Sequence, residues 1–137
     1  MKVENALYPD GARMMALMND KSGEPVVMLN LLRFRCKAVY ADGRETALTG
    51  IEAYQLYAGP MQTLVESQGG KFVFGGRVGG MVIGEVEQMW DICALVEYPS
   101  AAAFAKIAMS PEVREIGVHR AAGLEGQLLI RVAQRPL

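Results

Sequence analysis

The sequence predicts an α+β protein in which four strands and two helical segments follow the order βαββαβ, behind one extra N-terminal helix. Two segments, residues 25–35 and 90–98, carry apolar residues on both alternations, as in strands that are covered on both faces. Serine or threonine residues before the amphipathic segments are typical of helix N-caps. This order is the ferredoxin-like pattern, an antiparallel sheet with helices on one face.

Local signals define the elements of the first half of the chain. Asp10 is a typical N-cap for a short helix that should end near Asn19. Thr49 and Glu52 have the spacing of a capping box and predict a longer helix, ended by a glycine pair. Pro60 lies inside that helix, and we expect a kink or a break there because proline removes one amide donor.

The second half of the chain shows the same kinds of signal. Strands are predicted over residues 71–75 and 90–98, with a turn-rich region between them. Ser100 and Ser110 predict two helix starts in succession, the second with proline at its first position. Residues 124–132 should form the last strand. The four predicted strands therefore complete the βαββαβ order.

We predict one domain over residues 1–137, with an N-terminal helical extension over 1–23 and the ferredoxin-like part over 24–137. Helices on one face of the sheet would leave the other face bare, yet the two central strands are apolar on both alternations. A second copy of the chain, packed sheet against sheet, is the simplest cover. The sequence therefore predicts a homodimer, a dimeric α+β barrel.

Composition and charge limit the classes of partner. The formal net charge of −1 gives no basic surplus for binding nucleic acid. No apolar run approaches membrane-spanning length and the first eleven residues lack the apolar core of a signal peptide, so we expect a cytoplasmic protein without a membrane partner. One histidine and the separated Cys36 and Cys93 do not make a zinc site, so we expect no metal, and both cysteines should be small buried side chains.

Several pieces of the sequence resemble one known family. The domain-of-unknown-function 1330 family is similar over residues 24–129, in the pieces EPVVMLNLLRFR, DGRETALTGIEAYQLY, GGKFVFGG, GEVEQMWD, VEYPS, SPEV and HRAAGL. The resemblance implies a dimeric α+β barrel built from ferredoxin-like chains. It implies no established reaction.

Related folds with known chemistry include cofactor-independent monooxygenases, haem-degrading monooxygenases and muconolactone-isomerase-like proteins. The haem-degrading type is similar to this chain at one position, an asparagine on the first strand, here Asn30. The places of its tryptophan and histidine hold Ile107 and Gly117. This departure argues against haem, and we expect no cofactor.

Asn30 and Arg120 are the most unusual polar residues. Asn30 interrupts an apolar strand, and a buried amide without partners costs about 1–3 kcal/mol. It could orient a ligand, or it could satisfy irregular backbone or a buried water. Arg120 shares an apolar helix face with Val113 and Ile116. It could bind a carboxylate, or it could hydrogen-bond the last carbonyls of its own helix.

Three further side chains could take part in chemistry. His119 is the single histidine and a candidate acid or base, although a histidine at a helix end is more often a surface or capping residue. Tyr54 and Tyr57 lie on the helix face towards the sheet, and their hydroxyls could line a pocket. The candidate catalytic residues are thus Asn30, His119 and Arg120, and the candidate substrate-binding residues are Asn30, Tyr54, Tyr57 and Arg120.

Two hypotheses about function remain open. One is a cofactor-independent oxygenase or isomerase that acts on a small acidic or keto compound. The other is a non-catalytic ligand-binding or structural dimer. The absence of a dense acid–base cluster favours the second, and the family resemblance, which suggests a metabolic setting, favours the first. Both are compatible with a cavity between the first strand and the helices, with Asn30 and Arg120 as its polar walls.

Overall fold

Four helices and four strands make up the chain, and a computed structural model describes all 137 residues. Asp10 caps the first helix and Thr49 the second, as predicted. In chain order the elements are α1 (Gly11–Met18), β1 (Val26–Phe34), α2 (Gly50–Ser67), β2 (Lys71–Arg77), β3 (Ile92–Tyr98), α3 (Ala101–Ala108), α4 (Pro111–Gly123) and β4 (Leu124–Val132). The predicted order of a helix followed by βαββαβ is therefore confirmed.

The strands form one open antiparallel sheet in the order β2-β3-β1-β4. The first strand lies in the middle, between β3 and β4. Its register with β4 places Leu32 opposite Gln127 and Asn30 opposite Leu129, so these side chains share one face of the sheet. This strand order and direction are those of the ferredoxin-like fold, which confirms the predicted fold class.

The long helix α2 begins at the predicted capping box. The Thr49 hydroxyl accepts from the Glu52 amide at 3.1 Å, and the Glu52 carboxylate accepts from the Thr49 amide at 2.9 Å. The helix then continues without interruption through Pro60, so a break there is wrong, and a kink stays a prediction. The missing hydrogen bond is offset by the burial of Met61 and Val65, which follow Pro60 and pack on the sheet.

The main hydrophobic core lies between the sheet and the helices. Alternate residues of the two central strands meet α2 and α3 there, and two residues of α1 pack against the same core. The eight buried members are Val26, Met28, Met61, Val65, Val96, Tyr98, Phe104 and Ile107. All four helices therefore lie on one face of the sheet.

The opposite face of the sheet is apolar and carries no helix. Leu29 and Leu31 of β1 and Leu95 of β3 alternate with the core residues and are half-buried. On the edge strand β4, Ile130 and Val132 remain 44% and 41% exposed. We call this surface the bare face.

The N-terminus of α2 and the C-terminus of α4 cross in close contact. A methyl group added to Gly50 would lie 2.7 Å from the Gly123 carbonyl oxygen, and one added to Gly123 would lie 2.9 Å from the Tyr54 nitrogen. Neither glycine has a positive φ, so the requirement is for space. This crossing fixes how Tyr54 on α2 and Arg120 on α4 approach the sheet.

The residues before β1 close over the edge of β4. Ala6 and Gln127 exchange two backbone hydrogen bonds of 3.1 and 2.9 Å. The indole of Trp90 donates to the Asn5 side chain at 2.7 Å. Together with the packing of α1 against α3, these contacts hold the N-terminal segment on the helix face of the sheet.

Two other expectations concern membranes and cysteines. None of the four helices combines the length and apolar character needed to cross a bilayer. Cys93 is half-buried in β3, but Cys36 is exposed, so the prediction that both cysteines are buried is wrong for Cys36. Cys36 lies just beyond the end of β1, where the chain leaves the sheet. Both thiols are free.

Candidate functional site

A chain of side-chain hydrogen bonds joins Arg120 to the first strand. The Arg120 guanidinium donates to Gln127 Oε1 at 2.5 Å, and Gln127 Nε2 donates to Asn30 Oδ1 at 2.9 Å. The Asn30 amide nitrogen then donates to the Met28 carbonyl at 3.2 Å. We call Arg120, Gln127 and Asn30 the amide chain. It brings the two residues singled out from the sequence onto one face of the sheet.

The amide chain uses both groups of the Asn30 side chain within the protein. Its oxygen accepts from Gln127 and its nitrogen donates to the backbone of its own strand. Gln127 likewise uses its oxygen and its nitrogen. The Arg120 guanidinium has five N–H donors and no acceptor. Its remaining N–H groups are the part of the amide chain that is available to a ligand.

A cavity of about 600 Å³ lies beside the amide chain. Arg120, Gln127 and Met28 form part of its wall, and Asn30 is behind them rather than on the surface. The N-terminal segment supplies the facing wall through Leu7, Tyr8, Pro9 and Leu17 among others. Of its 16 lining residues, 10 are hydrophobic, so the cavity is a mainly apolar space with a few polar groups in its walls.

The charge of Arg120 has no carboxylate partner. Two other arginines line the cavity, and each is paired: Arg13 with Asp10 at 3.1 Å and Arg131 with Asp20 at 2.8 Å. Arg120 instead contacts the neutral Gln127 amide, not the last carbonyls of its helix. A half-buried guanidinium held by a neutral group retains most of its attraction for an anion.

Tyr54 and Tyr57 are not among the residues that line the cavity. The Tyr54 ring packs edge-on against Phe34 with centroids 5.3 Å apart and contacts the Tyr57 ring at 5.4 Å. Burial raises the pKa of both hydroxyls, while the Arg120 charge lowers the pKa of each by a smaller amount. Both phenols are therefore neutral around pH 7.

His119 is turned away from this site. Its Nδ1 and the Tyr40 hydroxyl form a hydrogen bond of 2.6 Å, and the two rings meet edge to face. Tyr40 belongs to the segment that joins β1 to α2 and is buried in a second small core with Ala53 and Ala122. The Arg44 guanidinium covers the Tyr40 ring at 4.5 Å from its centroid. His119 is half-buried against Tyr40 rather than on the surface, and its role as an acid or base stays a prediction.

Sequence reasoning missed Gln127 and the N-terminal wall. Gln127 is a polar residue inside an otherwise largely apolar last strand, which is the same signal that drew attention to Asn30. The residues of the N-terminal wall carry no comparable signal, because Leu7, Tyr8 and Leu17 look like an ordinary helical extension. Only the return of this segment along β4 makes them part of the cavity.

The family model described as "Domain of unknown function (DUF1330)" matches residues 39–132. The chain belongs to the DUF1330 family. Arg120 and Gln127 lie within the matched residues, whereas Asn30 and the N-terminal wall of the cavity precede them.

Two similar crystal structures cover nearly the whole chain. The structure of the methylated RPA0582 protein has 38% identity and a TM-score of 0.85, over 97% of this chain and 96% of that one. A second RPA0582 structure, of a protein of unknown function from Rhodopseudomonas palustris, has 34% identity and a TM-score of 0.85, over 97% of this chain and 100% of that one.

A more distant structure comes from Bacteroides fragilis and is described as a dimeric protein of unknown function with a ferredoxin-like fold. It has 14% identity and a TM-score of 0.45, over 81% of this chain and 96% of that one. This likeness is too low to bear on the assembly of the present chain. No curated protein matches the chain.

Proposed function

We propose that this DUF1330 protein binds a small organic acid, with the carboxylate at Arg120 and the apolar body in the adjoining cavity. The observation that carries the proposal is that Arg120 is the one arginine on the cavity wall without a carboxylate partner. Guanidinium and carboxylate form short, paired hydrogen bonds, and a partly dry site strengthens them. The amide chain holds the guanidinium in place.

The cavity fits the apolar part of such a ligand. Its volume of about 600 Å³ is typical of small-molecule sites. Leu7 and Leu17 from the N-terminal segment face Met28 and Phe104 from the main core across it. An aliphatic chain of medium length would bury its surface between these walls, at roughly 0.8 kcal/mol for each methylene group removed from water.

Binding without turnover is the form of the proposal that the site favours. Proton-transfer chemistry needs a base near the ligand. The carboxylate on the cavity wall, Glu4, is paired with Lys2 at 2.7 Å, and His119 is engaged by Tyr40. The oxygenase or isomerase hypothesis would have to rely on Arg120 and neutral donors alone. We place the binding function in the cytoplasm, as the sequence suggests.

Octanoate is a suitable first probe, with melting temperature and calorimetry as readouts. Saturating octanoate should stabilise the native protein, by about 2.7 kcal/mol at a hundred times its Kd. Arg120→Gln should lose this stabilisation. Arg114→Gln, on the exposed side of the same helix, should keep it. Equal binding by the two variants would overturn the proposal.

Turnover is checked by mass spectrometry of the acid after incubation in air. Recovery of the probe unchanged supports a binding protein. Consumption of the acid that Arg120→Gln abolishes would favour the enzymatic hypothesis in its place. The experiment needs no added metal or cofactor, because each hypothesis concerns the chain's own residues.

The proposal includes a homodimer formed through the bare face. Its apolar residues, among them Leu29, Leu31 and Leu95, would otherwise stay in contact with water. Sedimentation at micromolar concentration should give twice the chain mass. Leu95→Lys should give a monomer, whereas Leu56→Lys, on an exposed position of α2, should not. A wild-type monomer would exclude the dimer.

A further inference from the structure

We infer that residues 4–9, which we call the strap, close over the ligand, and that the Tyr8 ring on the strap covers the ion pair of Arg120 with the carboxylate. The inference rests on the proposed function, because it takes Arg120 as the anchor of the acid. It goes further in assigning a second binding residue to the site and in coupling ligand binding to one movable segment of the chain.

The Tyr8 ring lies against the anchor of the proposed site. Its centroid is 5.8 Å from Arg120 Cζ, and both residues line the cavity. A guanidinium within about 6 Å of an aromatic face is attracted by the quadrupole of the ring. Tyr8 remains 68% exposed, so the fold gains little from burying this side chain. Its contact with Arg120 therefore suits a binding residue better than a core residue.

The strap is attached to the residue that also orients Arg120. Ala6 exchanges two backbone hydrogen bonds with Gln127, of 3.1 and 2.9 Å, and the Gln127 side chain accepts from Arg120. The Asn5 side chain accepts from the Trp90 indole at 2.7 Å. Docking of the strap and orientation of the guanidinium therefore both depend on Gln127.

The attachments of the strap are few. None of the first 25 residues is buried, whereas the following strand begins with the buried Val26. The helix after the strap, α1, packs on the core only through the partly buried Met14 and Leu17. Segments with few buried apolar contacts open at a free energy well below that of global unfolding. The strap can therefore leave the sheet while the rest of the chain stays folded, which opens a route into the cavity.

An acid in the cavity adds contacts that exist only when the strap is closed. Its carboxylate at Arg120 would lie against the Tyr8 ring, and its apolar chain would lie between Leu7 and Met28. Closure also removes water from the ion pair, which is stronger in a drier site. A ligand that binds the closed form more tightly than the open form shifts the population towards the closed form. Acid binding and docking of the strap therefore stabilise each other.

Hydrogen exchange of the full chain, with and without saturating octanoate, measures this coupling. Without octanoate, amides in residues 4–18 should exchange faster than those of β1, because the segment opens locally. Octanoate should slow exchange in residues 4–18 by roughly tenfold or more. Protection confined to α4 and β4, with none in residues 4–18, would overturn the inference and leave the proposed function standing.

Substitutions at two positions separate the ring from the strap. Tyr8→Leu removes the aromatic face and should weaken octanoate binding by roughly fivefold, whereas Tyr8→Phe keeps the face and should bind within about twofold of wild type. Gly126→Ala displaces the strap from outside the cavity wall, because the added methyl group would lie 2.6 Å from Asn5 Cβ. It should speed exchange in residues 4–18 and weaken octanoate binding by roughly threefold or more, since the closed form is less populated.

The matched control is Gly75→Ala on β2, where the added methyl group meets nothing within 4 Å. It should change neither exchange in residues 4–18 nor octanoate binding. If Gly126→Ala does not fold, Asn5→Ala, which removes the acceptor of the Trp90 indole, replaces it with the same expected results.

The outcomes separate this inference from the proposed function. Wild-type affinity for octanoate in both Tyr8→Leu and the strap variant would overturn the inference, and a loss confined to Arg120→Gln would leave the proposed function standing. Equal weakening by Tyr8→Leu and Tyr8→Phe would also overturn it, because the ring face would then not be the binding group. Failure of octanoate to bind the wild type would overturn the proposed function itself, and the inference with it.

Discussion

The amide chain predicts how much stability one buried glutamine contributes. Methionine in place of Gln127 keeps the length of the side chain but removes both hydrogen bonds. The bond from the charged Arg120 is worth about 1.5–3 kcal/mol, and leaving the Asn30 oxygen without a donor costs about 1–3 kcal/mol. Arg120 and Asn30 are both half-buried, so water can replace part of the lost hydrogen bonding in the variant. We therefore expect Gln127→Met to lower the free energy of unfolding by about 2–4 kcal/mol.

Urea denaturation with linear extrapolation measures this change. The matched control is Gln55→Met, a similar replacement at an exposed position of α2, which should alter the free energy of unfolding by less than about 0.5 kcal/mol. A loss below about 0.5 kcal/mol for Gln127→Met as well would refute the reasoning, because the hydrogen bonds would then contribute nothing beyond those made to water.

A double-mutant cycle separates the amide chain from general packing. Asn30→Ala alone should cost about 1–3 kcal/mol, since it orphans the Gln127 amide. Combined with Gln127→Met, it should cost less than the sum of the two single changes, by roughly 0.5–1.5 kcal/mol, because either change breaks the shared bond. Strictly additive effects would show that the two side chains act independently.

Two further predictions concern the helix crossing and the tyrosines. Gly123→Ala should lower the free energy of unfolding by about 1–3 kcal/mol, because the added methyl group overpacks the crossing. Gly117→Ala, in open space on the same helix, should raise the free energy of unfolding by about 0.5–1 kcal/mol. Similar effects of the two changes in urea denaturation would contradict the close crossing. Tyrosine in the unfolded chain loses its proton near pH 10, whereas burial raises the pKa of Tyr54 in the folded chain. The free energy of unfolding should therefore fall as the pH rises above about 10, by up to about 1.4 kcal/mol per pH unit for each such tyrosine. Tyr54→Phe should make that decline shallower in urea titrations across this range, and an unchanged slope would count against burial of the hydroxyl.

The fold could be predicted from the sequence because its signals are local. The capping box at Thr49 and Glu52, and the serine caps at Ser100 and Ser110, each satisfy amides within one helical turn, so the residues that decide the element are adjacent in sequence. Pro60 is the exception. Its local signal was overridden by the burial of residues that follow it, which is a tertiary effect.

The amide chain could not be predicted, because it depends on strand register. Gln127 lies opposite Leu32 and thus diagonal to Asn30, two residues away on the same face. The central strands are apolar on both alternations, so a shift by one residue would look equally acceptable in the sequence. The division into an N-terminal extension and a ferredoxin-like part also stays a prediction, although residues 4–17 contribute one wall of the cavity.

Asn30 shows why the sequence alone left two interpretations open. In a sequence, a polar residue in a covered strand suggests either a ligand contact or a hydrogen bond within the fold, and the two look exclusive. In the structure its amide satisfies the Met28 carbonyl and, through Gln127, also fixes the guanidinium of Arg120. A residue in this position acts on a ligand without touching it, because the direction of an arginine's donors decides whether a carboxylate can bind them in pairs. A loss of stability in Asn30→Ala is therefore compatible with a positioning role as well as with a purely structural one. The two roles are distinguished by acid binding, measured at a temperature where the variant is folded. A positioning role requires that the folded variant binds the acid more weakly.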